Sequence, residues 1–184
     1  MGMRLPVRSD ARKHRELLLE AAAEIFAAQG YGAPLDSIAA RAGVGQGTLY
    51  RNFADRDELL FALQERDLTR LEANLEDTDL ADRPLAMIEA MAEHSVVNPT
   101  MCEYWTALPP ETPQLVTAKA HFFSVAGRGL DQAKAAGRIR EDLTAEDIGM
   151  IGIMFRAIRL GSTEAERRQA KERALALLTK GIVP

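Results

Sequence analysis

The chain has one cysteine, Cys102, so it cannot close an internal disulfide, and no CxxC or HxxxH spacing stands near it to hold a metal. The expected setting is a reducing cytoplasm. No apolar run follows the charged amino terminus as in a secretory leader, and none reaches the ~18 residues of a membrane helix. The three histidines, His14, His94 and His121, are scattered. There is no phosphate-binding glycine loop and no Gly-x-Ser-x-Gly elbow, so the sequence carries no enzyme signature and implies no cofactor and no metal. Aromatic residues make up only 5%, with a single tryptophan, while Ala, Leu, Glu and Arg abound. That composition favours helices, and an all-α fold is expected.

Charge is unevenly spread. The net charge is -4, yet Arg4, Arg8, Arg12, Lys13 and Arg15 against Asp10 give the first fifteen residues +4, which leaves -8 for the remainder. A basic end on an acidic body fits either a nucleic-acid contact or a solvated tail.

The apolar pattern divides the chain into helices. Leu18, Ala22, Ile25 and Phe26 recur at helical steps from Arg12 to Gln29, and Gly30 suits a left-handed cap. Pro34 opens a short helix carrying Leu35, Ile38, Ala39 and Ala42, with Asp36 in its first turn. Gly43 ends that helix after barely two turns, and a second short helix begins near Gly45, burying Val44, Leu49 and Phe53. Two short helices, a glycine turn and a polar outer face form a helix-turn-helix. Asp55 caps a long helix striped with Leu59, Leu60, Leu63, Leu68, Leu71 and Leu75, and another spans Arg83 to Asn98-Pro99. A helix of more than twenty residues is predicted from Pro113 to Ala136. Thr144 and Asp147 are spaced as a capping box, and final helices are predicted over residues 144–160 and 163–180.

A major groove admits one helix, whose exposed side chains read base edges. On the second short helix, Gln46 and Asn52 can pair with adenine, Arg51 with guanine, and the Thr48 methyl can touch thymine. Gly47 leaves room for close approach. The competing reading is a solvated helix face.

With these residues in view, IAARAGVGQGTLYRNFADRDELL, residues 38 to 60, resembles the TetR family of one-component transcriptional regulators. The preceding SDARKHRELLLEAAAEIFAAQGYGAPLDSIA is also similar to that family's first helix and connector. Pro34-Leu35-Asp36 departs from the family's usual threonine at the start of the second helix. The resemblance implies a DNA-binding domain at residues 1–56 and a helical effector-binding and dimerisation domain at 57–184. It places Gln46, Thr48, Tyr50 and Arg51 on the DNA surface, with Tyr50 and Arg56 on phosphates and an unstructured basic arm of Arg4, Arg8, Arg12 and Lys13 beside them.

Met87, Met91, His94, Met101, Tyr104, Trp105, Phe122, Phe123 and Met154 concentrate soft and aromatic side chains in the second part. They fit either a pocket for an apolar or aromatic effector or plain core packing. The family resemblance further implies a homodimer built as a four-helix bundle from the last two helices, with Ile148, Ile151, Phe155, Leu175 and Leu178 as its seam. The expectation is thus a cytoplasmic repressor released from a near-palindromic double-stranded operator by a small effector. The alternatives are an architectural DNA-binding protein without effector and, remotely, an enzyme.

Overall fold

The computed structural model describes residues 7–97, 104, 107–155, 158 and 163–182, with side chains from Asp10 onward. Among the described residues there are nine helices and no strand: α1 (Val7–Gln29), α2 (Leu35–Arg41), α3 (Gln46–Asn52), α4 (Arg56–Leu75), α5 (Arg83–Val97), α6 (Pro113–Ala126), α7 (Leu130–Ala135), α8 (Ala145–Met154) and α9 (Glu164–Ile182). The expected all-α class is therefore observed.

The chain forms two compact units, residues 1–66 and 67–184. The division falls inside α4, ten residues beyond the boundary drawn from sequence. That boundary followed the start of a helix, whereas the first half of α4 belongs to the amino-terminal unit and contributes the buried Leu59, Leu60 and Leu63.

In the first unit α1, α2 and α3 pack pairwise on one another. Their core is Leu18, Leu19, Ala22, Phe26, Ile38, Ala39, Leu49 and Phe53, each at most 3% exposed, so the helical spacing seen in the sequence is the buried stripe. The segment expected to be an unstructured arm is helical from Val7, with Asp10 in the favourable first turn. At the head of α4, Glu58 N–H donates to Asp55 Oδ1 at 2.8 Å and Ala54 N–H donates to Glu58 Oε2 at 2.6 Å. Asp55 is thus the helix-starting acid.

In the second unit the core joins Leu68, Met87, Ile88, Ala92, Val96, Val125, Ala133, Ile139, Ile148, Ile151 and Phe155. The single long helix expected from Pro113 to Ala136 is two. Gly127-Arg128-Gly129 breaks it, because Gly129 takes φ +87° and the Leu80 carbonyl occupies the place of its missing side chain. The predicted capping box forms: Asp147 N–H donates to Thr144 Oγ1 at 3.1 Å, and Thr144 N–H donates to Asp147 Oδ2 at 2.9 Å. Helix α9 docks on α5 through polar contacts. Arg167 Nε donates to Val96 O at 3.1 Å, and Glu93 receives Lys171 Nζ at 2.6 Å and Arg168 Nη1 at 3.2 Å.

Ile148, Ile151 and Phe155, read from sequence as a dimer seam, are instead 0%, 6% and 0% exposed within a single chain, and Leu175 and Leu178 lie half-buried against the same core. The reason is visible in α8: Ile148-Gly149-Met150-Ile151-Gly152-Ile153-Met154 is apolar all round, so its periodicity cannot say which face is inward. The glycines decide it. A Cβ on Gly149 would lie 2.9 Å from Phe123 Cε1, and one on Gly152 would collide with the Met91 methyl. These glycines let α8 press its Ile148–Ile151 face onto α5 and α6, leaving Met150, Ile153 and Met154 at 58%, 50% and 55% exposed.

Candidate nucleic-acid interface

The turn between α2 and α3 answers to its glycines. Ala42 caps α2, Gly43 takes φ +68°, Gly43 N–H donates to Ala40 O at 3.1 Å, and Val44 N–H donates to Ala39 O at 3.0 Å. Both bonds together are a Schellman motif, which satisfies two orphan carbonyls while reversing the chain. Gly45 then serves as the extended N-cap of α3, with its carbonyl receiving Thr48 N–H at 2.8 Å. Leu49 and Phe53, at 1% and 0% exposure, fix one side of α3 inward. Gln46, Gly47, Tyr50 and Arg51 face solvent, and Thr48 and Asn52 lie half-buried at the margin.

Within that face the side chains differ in what they hold. Arg51 Nη2 donates to Thr48 Oγ1 at 2.9 Å, and Asn52 Nδ2 donates to the Thr48 carbonyl at 2.7 Å. Tyr50 projects an aromatic ring that is 52% exposed, a large apolar surface to leave in water without a partner.

Arg56 is bonded within the fold. Its Nη1 donates to Tyr31 O and Ala33 O, both at 2.6 Å, so it ties the start of α4 to the connector between α1 and α2. Arg12 and Lys13 are exposed on α1, and the Arg8 side chain lies outside the described residues. Arg15 was not singled out as a site residue from the sequence. Its guanidinium lies 5.0 Å from the Phe53 ring centre, a cation–π contact beneath the end of α3. The signal was there, since Arg15 precedes Leu18, Leu19 and Ala22 on the inward stripe.

The expected effector residues are only partly brought together. Met87 is buried, Met91 and Phe122 pack at the edge of the core, and Phe122 and Phe123 meet edge-on, with ring centres 5.7 Å apart and planes at 72°. His94 is half-buried. Desolvation holds its pKa below the ordinary histidine value, with the Asp67 carboxylate opposing. Tyr104 is buried, while Met101 and Trp105 lie outside the described residues. Met154 points to solvent, off the stripe set by Ile148, Ile151 and Phe155, and so does not join them. Two depressions indent this unit among others. One of about 420 Å³ is lined by Lys134, Gly137 and residues 139–142, away from these side chains. The other, about 20 Å³, touches Met87 and has room for one water. Among the described residues no cluster of three metal-ligating groups occurs, and no helix is long and apolar enough to cross a membrane.

A three-helix unit with a glycine-turned second and third helix, followed by a separate helical unit, defines a helix-turn-helix protein with an appended α-helical domain. Comparison with known proteins carries this further. The family described as bacterial regulatory proteins, tetR family, matches residues 18–63. An HTH-type transcriptional regulator of Staphylococcus aureus strain USA300 is 36% identical over 63 residues, 34% of this chain and 34% of that protein. The match therefore spans about a third of that relative's length. Two solved structures are similar along the chain: a TetR transcription regulatory protein from Mycobacterium vanbaalenii (26% identity, TM-score 0.70, covering 97% of this chain and 100% of that one) and a TetR transcriptional regulator from Streptomyces coelicolor (27%, 0.60, 92% and 98%). Residues 18–63 thus carry the amino-terminal domain described for the tetR family, and the whole chain is similar in fold to regulators so described.

Proposed function

We propose that this protein is a DNA-binding transcriptional regulator that recognises a near-palindromic duplex with α3. The observation that carries this reading is the outer face of α3: Gln46, Gly47, Tyr50 and Arg51 are all exposed on a two-turn helix held rigidly from behind by Leu49 and Phe53. Polar groups at the exposed edge of a braced short helix are what base reading requires. Arg12 and Lys13 on α1 add positive charge for phosphates. The test is enrichment: the purified chain is mixed with a pool of duplexes randomised at the centre. Recovery of a two-fold symmetric sequence supports the reading, and recovery of none refutes it.

The regulator works as a cytoplasmic homodimer and represses until a small apolar or aromatic effector releases it. Support for the dimer comes from Met150, Ile153 and Met154 on α8 and Leu177 on α9, each half-exposed or more. Apolar side chains of this size gathered on the last two helices fit a self-complementary contact. Sedimentation at graded concentrations tests this, and a monomer at all of them refutes it. Support for the effector comes from the soft side chains Met87, Met91, Phe122 and Phe123 between α5, α6 and α8. The seating of Met91 and Phe123 against Gly152 and Gly149 favours a second reading, an effector-independent binder with a filled core. Titrating the protein–duplex complex with small apolar and aromatic compounds separates the two. Loss of DNA affinity with any of them supports the sensor.

A further inference from the structure

The exposed residues of α3 are not equally free. Arg51 Nη2 is bonded to Thr48 Oγ1, one turn back, and Arg51 Nη1 lies 3.6 Å from where a Cβ on Gly47 would sit. The guanidinium therefore lies along the outer face of α3, over the glycine, instead of extending from the helix end. Asn52 is turned the other way, its amide nitrogen given to the Thr48 carbonyl at 2.7 Å. Of the candidate base readers, one is thus pre-aimed and one is withdrawn, both through Thr48.

We propose that Arg51 sets the sequence preference by reading a guanine in each half-site, and that Thr48 and Gly47 act through it: Thr48 as a positioning residue, Gly47 as the open ground on which the guanidinium rests. This deepens the DNA-binding reading and rests on it. The chemistry is specific. Guanine presents two acceptors, O6 and N7, on its major-groove edge, and the planar guanidinium fork matches that pair where a lysine cannot. With Nη2 holding Thr48 through one N–H, its second N–H and both on Nη1 remain for the base. An arginine already lying in one geometry loses less freedom on binding.

The test uses the full chain and the duplex it enriches from the randomised pool. In the wild-type protein, replacing one guanine of each half-site by 7-deazaguanine, which lacks the N7 acceptor, lowers affinity by roughly 10- to 100-fold, as expected for a good bidentate pair. Arg51→Ala removes that discrimination while leaving far-UV circular dichroism unchanged. Thr48→Val weakens discrimination in the wild-type background and has no further effect in Arg51→Ala, whereas Thr48→Ser keeps it. Equal losses from Thr48→Val in both backgrounds would show that Thr48 touches DNA itself and would overturn the positioning role. Full discrimination retained by Arg51→Ala, or indifference of the wild type to 7-deazaguanine at every guanine, would overturn the reader. A wild-type chain that enriches no duplex would instead refute the DNA-binding reading and this one with it.

Discussion

Replacing Arg56 by methionine keeps most of the side chain's methylenes and removes two hydrogen bonds, from Nη1 to Tyr31 O and Ala33 O at 2.6 Å. Hydrogen bonds from a charged donor contribute ~1.5–3 kcal/mol each. Here one nitrogen serves both carbonyls and Arg56 is half-exposed, so the sum is taken at the low end, ~2–3 kcal/mol for the pair. Ala33 is 3% exposed, so its carbonyl has little access to replacement water, which argues against a smaller figure. In a unit of this size ~1 kcal/mol moves the midpoint by ~4–8 °C, so the transition that unfolds residues 1–66 should fall by at least ~8 °C. Thermal melting of the whole chain measures the shift, and amide exchange locates it, with faster exchange at residues 30–36. A phosphate-only role predicts the opposite pattern: unchanged melting and exchange, with the salt dependence of DNA binding reduced by about one ion per subunit. That outcome would refute the structural account of Arg56.

Three further expectations follow from burial, capping and titration. Ile151→Asp places a charge at a 6% exposed position and should cost several kcal/mol in urea unfolding, whereas Ile153→Asp, at 50% exposed, should leave single-chain stability within ~0.5 kcal/mol yet dissociate the proposed dimer in sedimentation. Equal effects of the two would show that the α8 faces are misassigned. Thr144→Ala removes the hydroxyl that receives Asp147 N–H and should cost ~1 kcal/mol, read as a lower urea midpoint; no change would mean the capping box contributes nothing. His94 has a depressed pKa in the folded chain, so the unfolded chain binds the extra proton first: stability is complete above the ordinary value of 6.5 and falls as pH drops below it. Paired carboxylates such as Glu93, also depressed, add their loss only further into acid, below 4.5. His94→Gln should flatten the limb just below pH 6.5, and an identical limb in that variant would discount His94.

How much was legible in the sequence depended on whether one face of an element was polar. In α1 and α4 the apolar stripes alternate with charge, and Leu18, Ala22, Phe26, Leu59 and Leu63 are buried as their spacing required. Glycine signals were equally direct at Gly43, because only a residue tolerant of positive φ ends α2 so abruptly. Helix α8 was opaque for the opposite reason: with no polar residue between Ile148 and Phe155, only the close packing of Phe123 and Met91 on its glycines sets the inward face. Gly127 and Gly129 broke a helix that composition alone would have continued, since the contact with Leu80 lies far away in sequence. On α3 the exposed residues could be picked out, but the bonds of Arg51 to the Thr48 hydroxyl and of Asn52 to the Thr48 carbonyl could not, because they depend on rotamers. Arg56 was read as a phosphate contact, and its bonds to Tyr31 O and Ala33 O were not legible because those carbonyls are more than twenty residues away.

The most direct test of the account is the affinity of the chain for its enriched duplex against random DNA, measured for the wild type and for Gln46→Ala/Arg51→Ala at fixed salt. Both residues are exposed, so the substitutions should leave the fold intact. The account predicts a wild-type preference of at least ~10³-fold over random DNA, and a doubly substituted chain that still binds random DNA as well as before but has lost most of that preference. A substituted chain with the preference intact would contradict the assignment of recognition to α3.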